Sequence, residues 1–366
     1  MAELRIEQLL REMVNRKASD LHLRVGVPPV YRINGALQRL FDVRIDSAMM
    51  DSFLDDIMNR DQKQRFEANK ECDFAVGARD MGRFRVNVFR QRGTIAVVIR
   101  HIKAVIPAFE DLHLPEVIRD LALTKRGLVL VTGTTGSGKS TTLASMIDYI
   151  NQKESVNVIT VEDPIEYLYR DNVAIISQRE IGVDTLSYAN ALRAALRQDP
   201  DVLLVGEIRD LETMQIALTA ADTGHMVFAT IHTTNAVETI HRVLSMYPPH
   251  QHDEVRLLLA EVLAGIISLR LLPTKDGKGR VPAAEILVNT GAIKEYIQDK
   301  NKIDMVEQAV AEGHIQYHSQ TFDQALLELY QNEQMSLETA MNAATNRDDF
   351  DLKIRGISGT SDRCWM

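Results

Sequence analysis

Residues 133–141, Gly-Thr-Thr-Gly-Ser-Gly-Lys-Ser-Thr, have the spacing of a phosphate-binding loop, G-x-x-x-x-G-K-[ST]. A buried-strand pattern at 128–132 precedes the loop, and a helical pattern at 142–150 follows it. The glycines let successive backbone N–H groups turn towards phosphate oxygens, and the helix N-terminus adds its positive dipole end. The sequence therefore predicts a nucleoside triphosphate site. Its expected nucleotide-binding residues are Gly133, Thr134, Thr135, Gly136, Ser137, Gly138, Lys139, Ser140 and Thr141.

The hydrolysis of a bound triphosphate needs charge neutralisation, a metal-holding carboxylate and a group that positions water. Lys139 is expected to bridge the β- and γ-phosphates, and the Ser140 hydroxyl to bind Mg²⁺. Glu162 and Glu207 each end an apolar strand pattern, and parallel sheets bind ligands at the carboxyl ends of their strands. We expect Glu207 to hold Mg²⁺ through water and Glu162 to act as the base. The reversed assignment stays open.

Two histidines bracket the apolar run 226–231. His232 follows the run, where a polar side chain can sense the γ-phosphate, whereas His225 precedes it and is as readily explained by a hydrogen bond in the core. Their spacing across a strand does not suit a zinc site.

Three segments carry arginines that could reach a phosphate. Arg193 and Arg197 are four residues apart, which predicts one helix face, and they are candidates for contacts with phosphates in their own or a neighbouring subunit. A salt-bridged helix surface explains that pair equally well. Arg83, Arg85 and Arg90 are predicted to lie on one face of a strand, with a solvated face as the default and an inter-subunit phosphate contact by Arg83 as the sharper hypothesis.

These residues must be positioned by two kinds of architecture. The first region alternates helical patterns (4–16 and 47–68) with short strands, one of them in a hairpin at Asn34-Gly35, which indicates an α+β domain. The second contains the continuous apolar runs 128–131, 156–161, 202–205 and 226–231, which predict parallel strands buried on both faces and hence an α/β domain. Helical patterns return from about 292, before a polar tail at 358–362 that is expected to be disordered.

Composition narrows the function classes. The 366 residues include 42 basic and 51 acidic side chains, and the net charge of −9 argues against a nucleic-acid coat. Two cysteines exclude a disulfide scaffold and a cysteine-based zinc module. No window has the length of uncharged apolar sequence that a membrane span needs. We expect a cytoplasmic protein with no direct membrane insertion.

Four segments together resemble the Walker A, Asp, Walker B and His boxes of the secretion ATPase superfamily: 133–141, 159–166, 192–207 and 223–235. Within that superfamily the chain is similar to the type IV pilus retraction ATPases, the PilT/PilU branch. The segments that carry this second likeness are Ala-Ser-Asp-Leu-His at 18–22, Gly-Val-Pro-Pro at 26–29, Arg-Phe-Arg-Val-Asn at 83–87 and Gln-Thr-Phe-Asp-Gln-Ala-Leu at 320–326.

The resemblance implies a PAS-like N-terminal domain (1–103), a linker (104–117), a RecA-like ATPase core (118–291) and a C-terminal helical region with its tail (292–366). It also implies a homohexameric ring that uses ATP and Mg²⁺, with arginines of the first domain or a neighbour completing the site. The implied function is ATP-driven pilus retraction through an inner-membrane platform protein. A paralogous retraction ATPase is a further candidate partner.

Two departures from the branch stand out. Thr134 replaces the usual proline of the loop, and residues 292–298 read Ala-Ile-Lys-Glu-Tyr-Ile-Gln where PilT proteins have Ala-Ile-Arg-Asn-Leu-Ile-Arg. Lysine cannot reproduce bidentate arginine contacts. The segments 321–330 and 351–355 are closer to PilU, so an accessory motor that depends on a partner ATPase stays open. Alternatives of other classes are a ring-shaped nucleic-acid translocase, against which the net charge argues, and a ring that binds ATP but scarcely hydrolyses it.

Overall fold

The structure, a computed structural model, describes residues 4–33, 35–78, 81–102 and 105–356. The chain divides into two compact units, the first made of residues 1–105 with 166–168 and the second of 106–165 with 169–366. Each unit has its own hydrophobic core. Asn34 and the segment 358–362, on which two of the sequence expectations fall, lie outside the described residues.

Within its described residues, the first unit contains a six-stranded antiparallel sheet in the order β3-β2-β1-β6-β5-β4. Alternate side chains of the strands pack against helices over one face of this sheet, as period-two patterning requires. The elements are α1 Ile6–Asn15, β1 Asp20–Arg24, β2 Val30–Ile33, β3 Ala36–Arg39, α2 Ser47–Ile57, α3 Arg60–Asn69, β4 Glu71–Ala78, β5 Gly82–Gln91 and β6 Thr94–Ile102.

The helical stretch expected at 47–68 is helical in the structure, but it is divided into the two helices α2 and α3. Asn59 starts the second one: its side chain accepts a hydrogen bond from the Gln62 N–H at 2.9 Å, and the Gln62 side chain accepts one from the Asn59 N–H at 2.8 Å. This reciprocal capping box satisfies N–H groups that have no partner inside the helix.

The prediction that Arg83, Arg85 and Arg90 share one strand face is wrong for Arg90. Arg90 is seven residues after Arg83, and an odd separation along a strand puts two side chains on opposite faces. Arg90 lies over the Phe66 ring, 5.5 Å from its centroid, and pairs with Glu67 at 3.2 Å. Arg83 and Arg85 point away from that helix-covered face.

The second unit is built around a seven-stranded sheet, counted over its described residues, in the order β13-β12-β7-β11-β10-β8-β9. The predicted parallel pairing of β7, β8, β10 and β11 is confirmed, and β13 alone pairs antiparallel within this part of the sheet. The strands are β7 Gly127–Thr132, β8 Asn157–Glu162, β9 Ile175–Glu180, β10 Val202–Val205, β11 Met226–Ile231, β12 Leu263–Pro273 and β13 Arg280–Val288.

Helices cover both faces of this sheet, so its central strands are apolar on both sides. The helices of the second unit are α4 Val117–Ala122, α5 Lys139–Lys153, α6 Tyr188–Ala195, α7 Leu211–Asp222, α8 Ala236–Ser245 and α9 His252–Val262. After them come α10 Gly291–Gln298, α11 Val306–Glu312, α12 His314–Tyr317, α13 Phe322–Gln331, α14 Leu337–Ala343 and α15 Arg347–Ile354. Short 3-10 turns occur at Phe109–Leu112, Pro249–Gln251 and Ile303–Met305.

Helix α10 contains the whole of the segment 292–298 that departs from the family pattern. Ile293 and Ile297 are buried, so the helix is anchored by its apolar side. Lys294 pairs with Glu261 at 3.2 Å, and Glu295 pairs with Lys302. The lysine at the first departing position therefore makes a single ion pair in place of a bidentate contact.

Candidate nucleotide-binding site

The phosphate loop lies between the end of β7 and the start of α5. Gly136 and Gly138 have positive φ angles of 81° and 104°, and a methyl group built on either would meet nothing within 4 Å. At Gly133, by contrast, a methyl group would lie 2.4 Å from the Ser137 hydroxyl and 2.5 Å from the Leu269 carbonyl oxygen. The loop is therefore tightly packed at Gly133 and open at Gly136 and Gly138.

Lys139 is the first residue of α5, and its side chain is buried within the loop. Its ammonium group donates to the carbonyl oxygens of Gly133 at 2.8 Å and Thr134 at 3.0 Å. Burial lowers the pKa of Lys139, and the nearby charge of Glu207 opposes this shift. The Ser137 hydroxyl is buried without a hydrogen-bond partner in the described part of the chain. The loop thus holds a cation and an unused hydroxyl where an anion can bind.

Glu207 lies just beyond the end of β10, in a group of basic side chains. Its Oε2 accepts a hydrogen bond from Arg209 at 2.6 Å, and its Oε1 lies 3.2 Å from His232 Nε2. Burial alone would raise the pKa of Glu207, but the hydrogen bond and charge of Arg209, with the charges of His232 and Lys139, outweigh burial and lower it. Glu207 is therefore an ionised carboxylate near neutral pH.

Glu162 is the last residue of β8 and is buried. Its Oε1 accepts hydrogen bonds from the Thr160 hydroxyl at 2.7 Å and from the Gln178 side-chain amide at 3.2 Å. Both donors are uncharged, and Gln178 comes from the neighbouring strand β9. The carboxylate is consequently oriented by the sheet itself.

Gly206 explains how the two glutamates come together. Its N–H donates to the Val161 carbonyl oxygen at 2.7 Å, so the ends of β8 and β10 stay paired beyond the last strand residue. A methyl group on Gly206 would lie 3.2 Å from the Glu162 Cα and 3.1 Å from the Tyr188 hydroxyl. The close approach leaves little room for a side chain at this position.

The structure brings together several of the predicted residues. Lys139, Glu207 and His232 belong to one cluster, while Glu162 ends the strand beside β10. His225 lies at the other end of β11, where its Nδ1 is 2.9 Å from the Ala220 carbonyl oxygen. That contact agrees with the interpretation of His225 as a histidine hydrogen-bonded within the core.

The predicted pairing of the two arginines on one helix face is wrong. Helix α6 ends at Ala195, and Arg197 lies in the turn that follows, with its N–H bonded to the Ala194 carbonyl oxygen. Arg193 forms an ion pair with Glu212, which corresponds to the salt-bridged alternative. Arg83 belongs to β5 of the first unit.

Four polar residues at this site were not predicted from the sequence: Thr160, Gln178, Tyr188 and Arg209. Thr160 and Arg209 each lie two residues from a predicted glutamate, and that spacing was the available signal. Gln178 and Tyr188 come from β9 and the start of α6, which only the fold brings near.

The residues present fit a magnesium ion. Mg²⁺ prefers hard oxygen ligands, and the Ser140 hydroxyl and the ionised Glu207 carboxylate supply them. Ser140 is exposed at the start of α5, and the lowered pKa of Glu207 keeps its charge available.

A phosphate loop on a buried parallel strand, with glutamates at the carboxyl ends of two other parallel strands of the same sheet, defines a P-loop ATPase with a RecA-like core. The family model described as "Type II/IV secretion system protein" matches residues 1–355. The chain is 40% identical over 352 residues to the Type IV pilus ATPase PilU of Pseudomonas aeruginosa, covering 96% of this chain and 92% of that protein. It is 42% identical over 345 residues to the retraction ATPase PilT of the same organism, covering 94% and 99%.

A solved structure of the pilus retraction motor PilT with bound ADP matches with a TM-score of 0.89 at 46% identity, covering 95% of this chain and 99% of that one. The chain therefore belongs to the type II/IV secretion system protein family, and within it to the PilT/PilU retraction ATPases. The predicted fold class, an N-terminal α+β domain before a RecA-like ATPase domain with a helical C-terminus, is confirmed. Among the described residues, no helix has the length and apolar character needed to cross a bilayer.

Proposed function

We propose that this protein is an ATP-hydrolysing motor that drives the retraction of type IV pili. The observation that carries the proposal is the complete phosphate loop, with Lys139, Glu162 and Glu207 in place, on a chain that aligns over 94% of its length with PilT. The proposed boundaries are 1–103 for a PAS-like domain, 104–117 for a linker, 118–291 for the ATPase core and 292–366 for the helical region and tail.

In this proposal the loop binds the phosphates of ATP. The positive φ angles of Gly136 and Gly138 allow the backbone N–H groups to face the anion, and the dipole of α5 favours its charge. Lys139 exchanges its two carbonyl contacts within the loop for the β- and γ-phosphates. The orphaned Ser137 hydroxyl gains an acceptor.

The two glutamates take different roles. Glu207, ionised and beside Lys139, helps Ser140 to hold Mg²⁺ through water, and bound Mg²⁺ neutralises charge on the phosphates. Glu162, held by two uncharged donors, orients the attacking water and accepts its proton. In this proposal His232, which lies against Glu207, senses the γ-phosphate.

The assembly in this proposal is a homohexameric ring at the cytoplasmic side of the inner membrane. Head-to-tail contacts close such rings, and Arg83, Arg193 and Arg197 are the candidates for completing a neighbour's site. The partners are the pilus platform protein in the inner membrane and a paralogous retraction ATPase. No nucleic acid is expected, given the net charge of −9.

Replacing Lys139 by Ala tests the proposed function. Loss of the loop cation should lower ATP turnover by about a hundredfold or more while the fold and assembly remain intact. The measurement is phosphate release by the purified protein, with circular dichroism and size-exclusion chromatography alongside. Lys125→Ala is the matched control, because Lys125 pairs with Glu154 on the surface of the same unit. Turnover by Lys139→Ala at the unmodified rate would overturn the proposal.

The same substitution in the source bacterium identifies the kind of motor. Excess surface pili without twitching motility would indicate the principal retraction motor. Near-normal motility with weaker pulling under load would indicate the accessory role. A strain with no pilus phenotype would contradict retraction altogether.

A further inference from the structure

A chain of buried hydrogen bonds crosses the second sheet beside the phosphate loop. Thr132, Ser268 and Glu285 lie side by side on β7, β12 and β13, where the strand register pairs Thr132 with Ser268 and Ser268 with Glu285. The Thr132 hydroxyl donates to the Ser268 hydroxyl at 3.0 Å, and Ser268 donates to Glu285 Oε1 at 3.3 Å. All three side chains are buried.

The other end of this chain is the start of helix α8. Glu285 Oε1 also accepts the N–H of Ala236, the first residue of α8, at 2.6 Å. Ala236 is four residues after His232, and Thr132 immediately precedes Gly133, whose carbonyl oxygen accepts from Lys139. Glu285 thus joins the strand that leads into the phosphate loop to the segment that carries His232.

The charge of Glu285 is set by its surroundings. Burial raises its pKa to about 7, against the hydrogen bonds from Ala236 and Ser268. The charged groups that act on it from neighbouring elements are Glu307 on α11, which raises the pKa further, and Arg270 on β12, which lowers it. The carboxyl group therefore changes charge close to neutral pH.

We propose that Glu285 is a positioning residue for ATP hydrolysis, holding the phosphate loop and the His232 segment at a fixed spacing in its ionised form. An ionised carboxylate only accepts, so the Ser268 hydroxyl and the Ala236 N–H both point to it, and charge-assisted hydrogen bonds are the stronger ones. A buried charge costs stability, so folding alone would favour an uncharged side chain here. This inference rests on the proposed function.

Glu285→Gln separates the positioning role from a structural one, because glutamine keeps the shape and stays neutral at every pH. At about pH 6 the kcat of the purified full-length variant should match the unmodified protein, in which Glu285 is mostly protonated. At about pH 8 its kcat should be about fivefold lower, as expected for the loss of one charge-assisted hydrogen bond, with KM for ATP unchanged.

Stability should move in the opposite direction. A carboxyl group with a raised pKa in the folded state stabilises below its unfolded pKa and loses that contribution as the pH rises through about 7. At about pH 8 the Glu285→Gln variant should therefore have a higher Tm than the unmodified protein while being slower. A merely structural residue would not give a variant that is more stable and less active.

Two further variants test the connection. Thr132→Val keeps the shape of the strand and removes the hydroxyl that faces Ser268, so its kcat at about pH 8 should fall by a similar factor. Glu307→Gln, on an exposed position of α11, should leave the maximal kcat unchanged and move the pH midpoint of kcat to lower pH.

Superimposable pH profiles of kcat for Glu285→Gln and the unmodified protein would overturn this inference alone. So would a Glu285→Gln variant that equals or exceeds the unmodified kcat at the higher pH. Absence of ATP turnover in the unmodified protein would overturn the proposed function, and the inference with it.

Discussion

Glu162 and Glu207 lie at the carboxyl ends of the neighbouring parallel strands β8 and β10, yet they have very different surroundings. Glu207 has Arg209 on one carboxylate oxygen and His232 on the other, with the charge of Lys139 nearby. Glu162 is more deeply buried and is held by a hydroxyl and an amide. The carboxyl ends of two adjacent strands therefore carry carboxylates with different chemical surroundings.

The difference shows that the role of a strand-end carboxylate depends on the residues that contact it. A carboxylate whose pKa is lowered by cations is a weak proton acceptor and stays charged, which suits the holding of a hydrated metal ion. A carboxylate held by a hydroxyl and an amide keeps a fixed direction, which suits the orientation of an attacking water. This contrast is why we assign the base to Glu162.

Among the substitutions that test this contrast, Glu162→Gln should have the largest effect on kcat. The amide keeps the contacts with Thr160 and Gln178 in reach but cannot accept a proton, so kcat should fall by about a thousandfold. KM for ATP should stay within about threefold, because the phosphates bind to the loop. Steady-state phosphate release over a range of ATP concentrations measures both.

Glu212→Gln is the control for that substitution. Glu212 is exposed and pairs with Arg193, so the control also tests whether this ion pair matters for turnover. Retention of more than about a tenth of kcat by Glu162→Gln would contradict the assignment of the base.

Glu207→Gln should give an intermediate effect that depends on magnesium. Loss of the negative charge should raise the Mg²⁺ concentration for half-maximal activity by about tenfold or more, and excess Mg²⁺ should restore much of kcat. Magnesium titrations at saturating ATP measure this. If Glu207→Gln is inactive at every Mg²⁺ concentration while Glu162→Gln responds to added Mg²⁺, the two roles are reversed.

Much of this site could be predicted because its signals are local. The phosphate loop is a contiguous motif, and the glutamates directly follow apolar runs that are continuous enough to indicate buried parallel strands. Residues 202–205 and 226–231 form β10 and β11 with those bounds. In such segments the sequence that forms the strand also contains, or directly precedes, the residues that do the chemistry.

The remainder depends on contacts between distant segments. Strand β9 is an edge strand of mixed burial, and β12 follows α9 without a glycine or proline between them, so no local signal marks either. Gln178 on β9 was missed for this reason, as was Glu285 on β13, the strand that pairs with β12. The prediction for Arg197 was wrong for a different reason. Arg193 and Arg197 have the four-residue spacing of one helix face, but α6 ends at Ala195, before Arg197.

The smallest effect on kcat should come from Thr160→Val, which removes one of the uncharged donors to Glu162. Valine fits the buried position, and removal of the hydroxyl should lower kcat by about fivefold, the value of one hydrogen bond. The Mg²⁺ requirement should not change. Thr213→Val is the matched control, because Thr213 is buried on α7 and its hydroxyl has no hydrogen-bond partner in the part of the chain that the structure describes. A shift of the Mg²⁺ requirement by Thr160→Val would mean that Glu162 takes part in holding the metal, and the contrast between the two glutamates would then be one of degree.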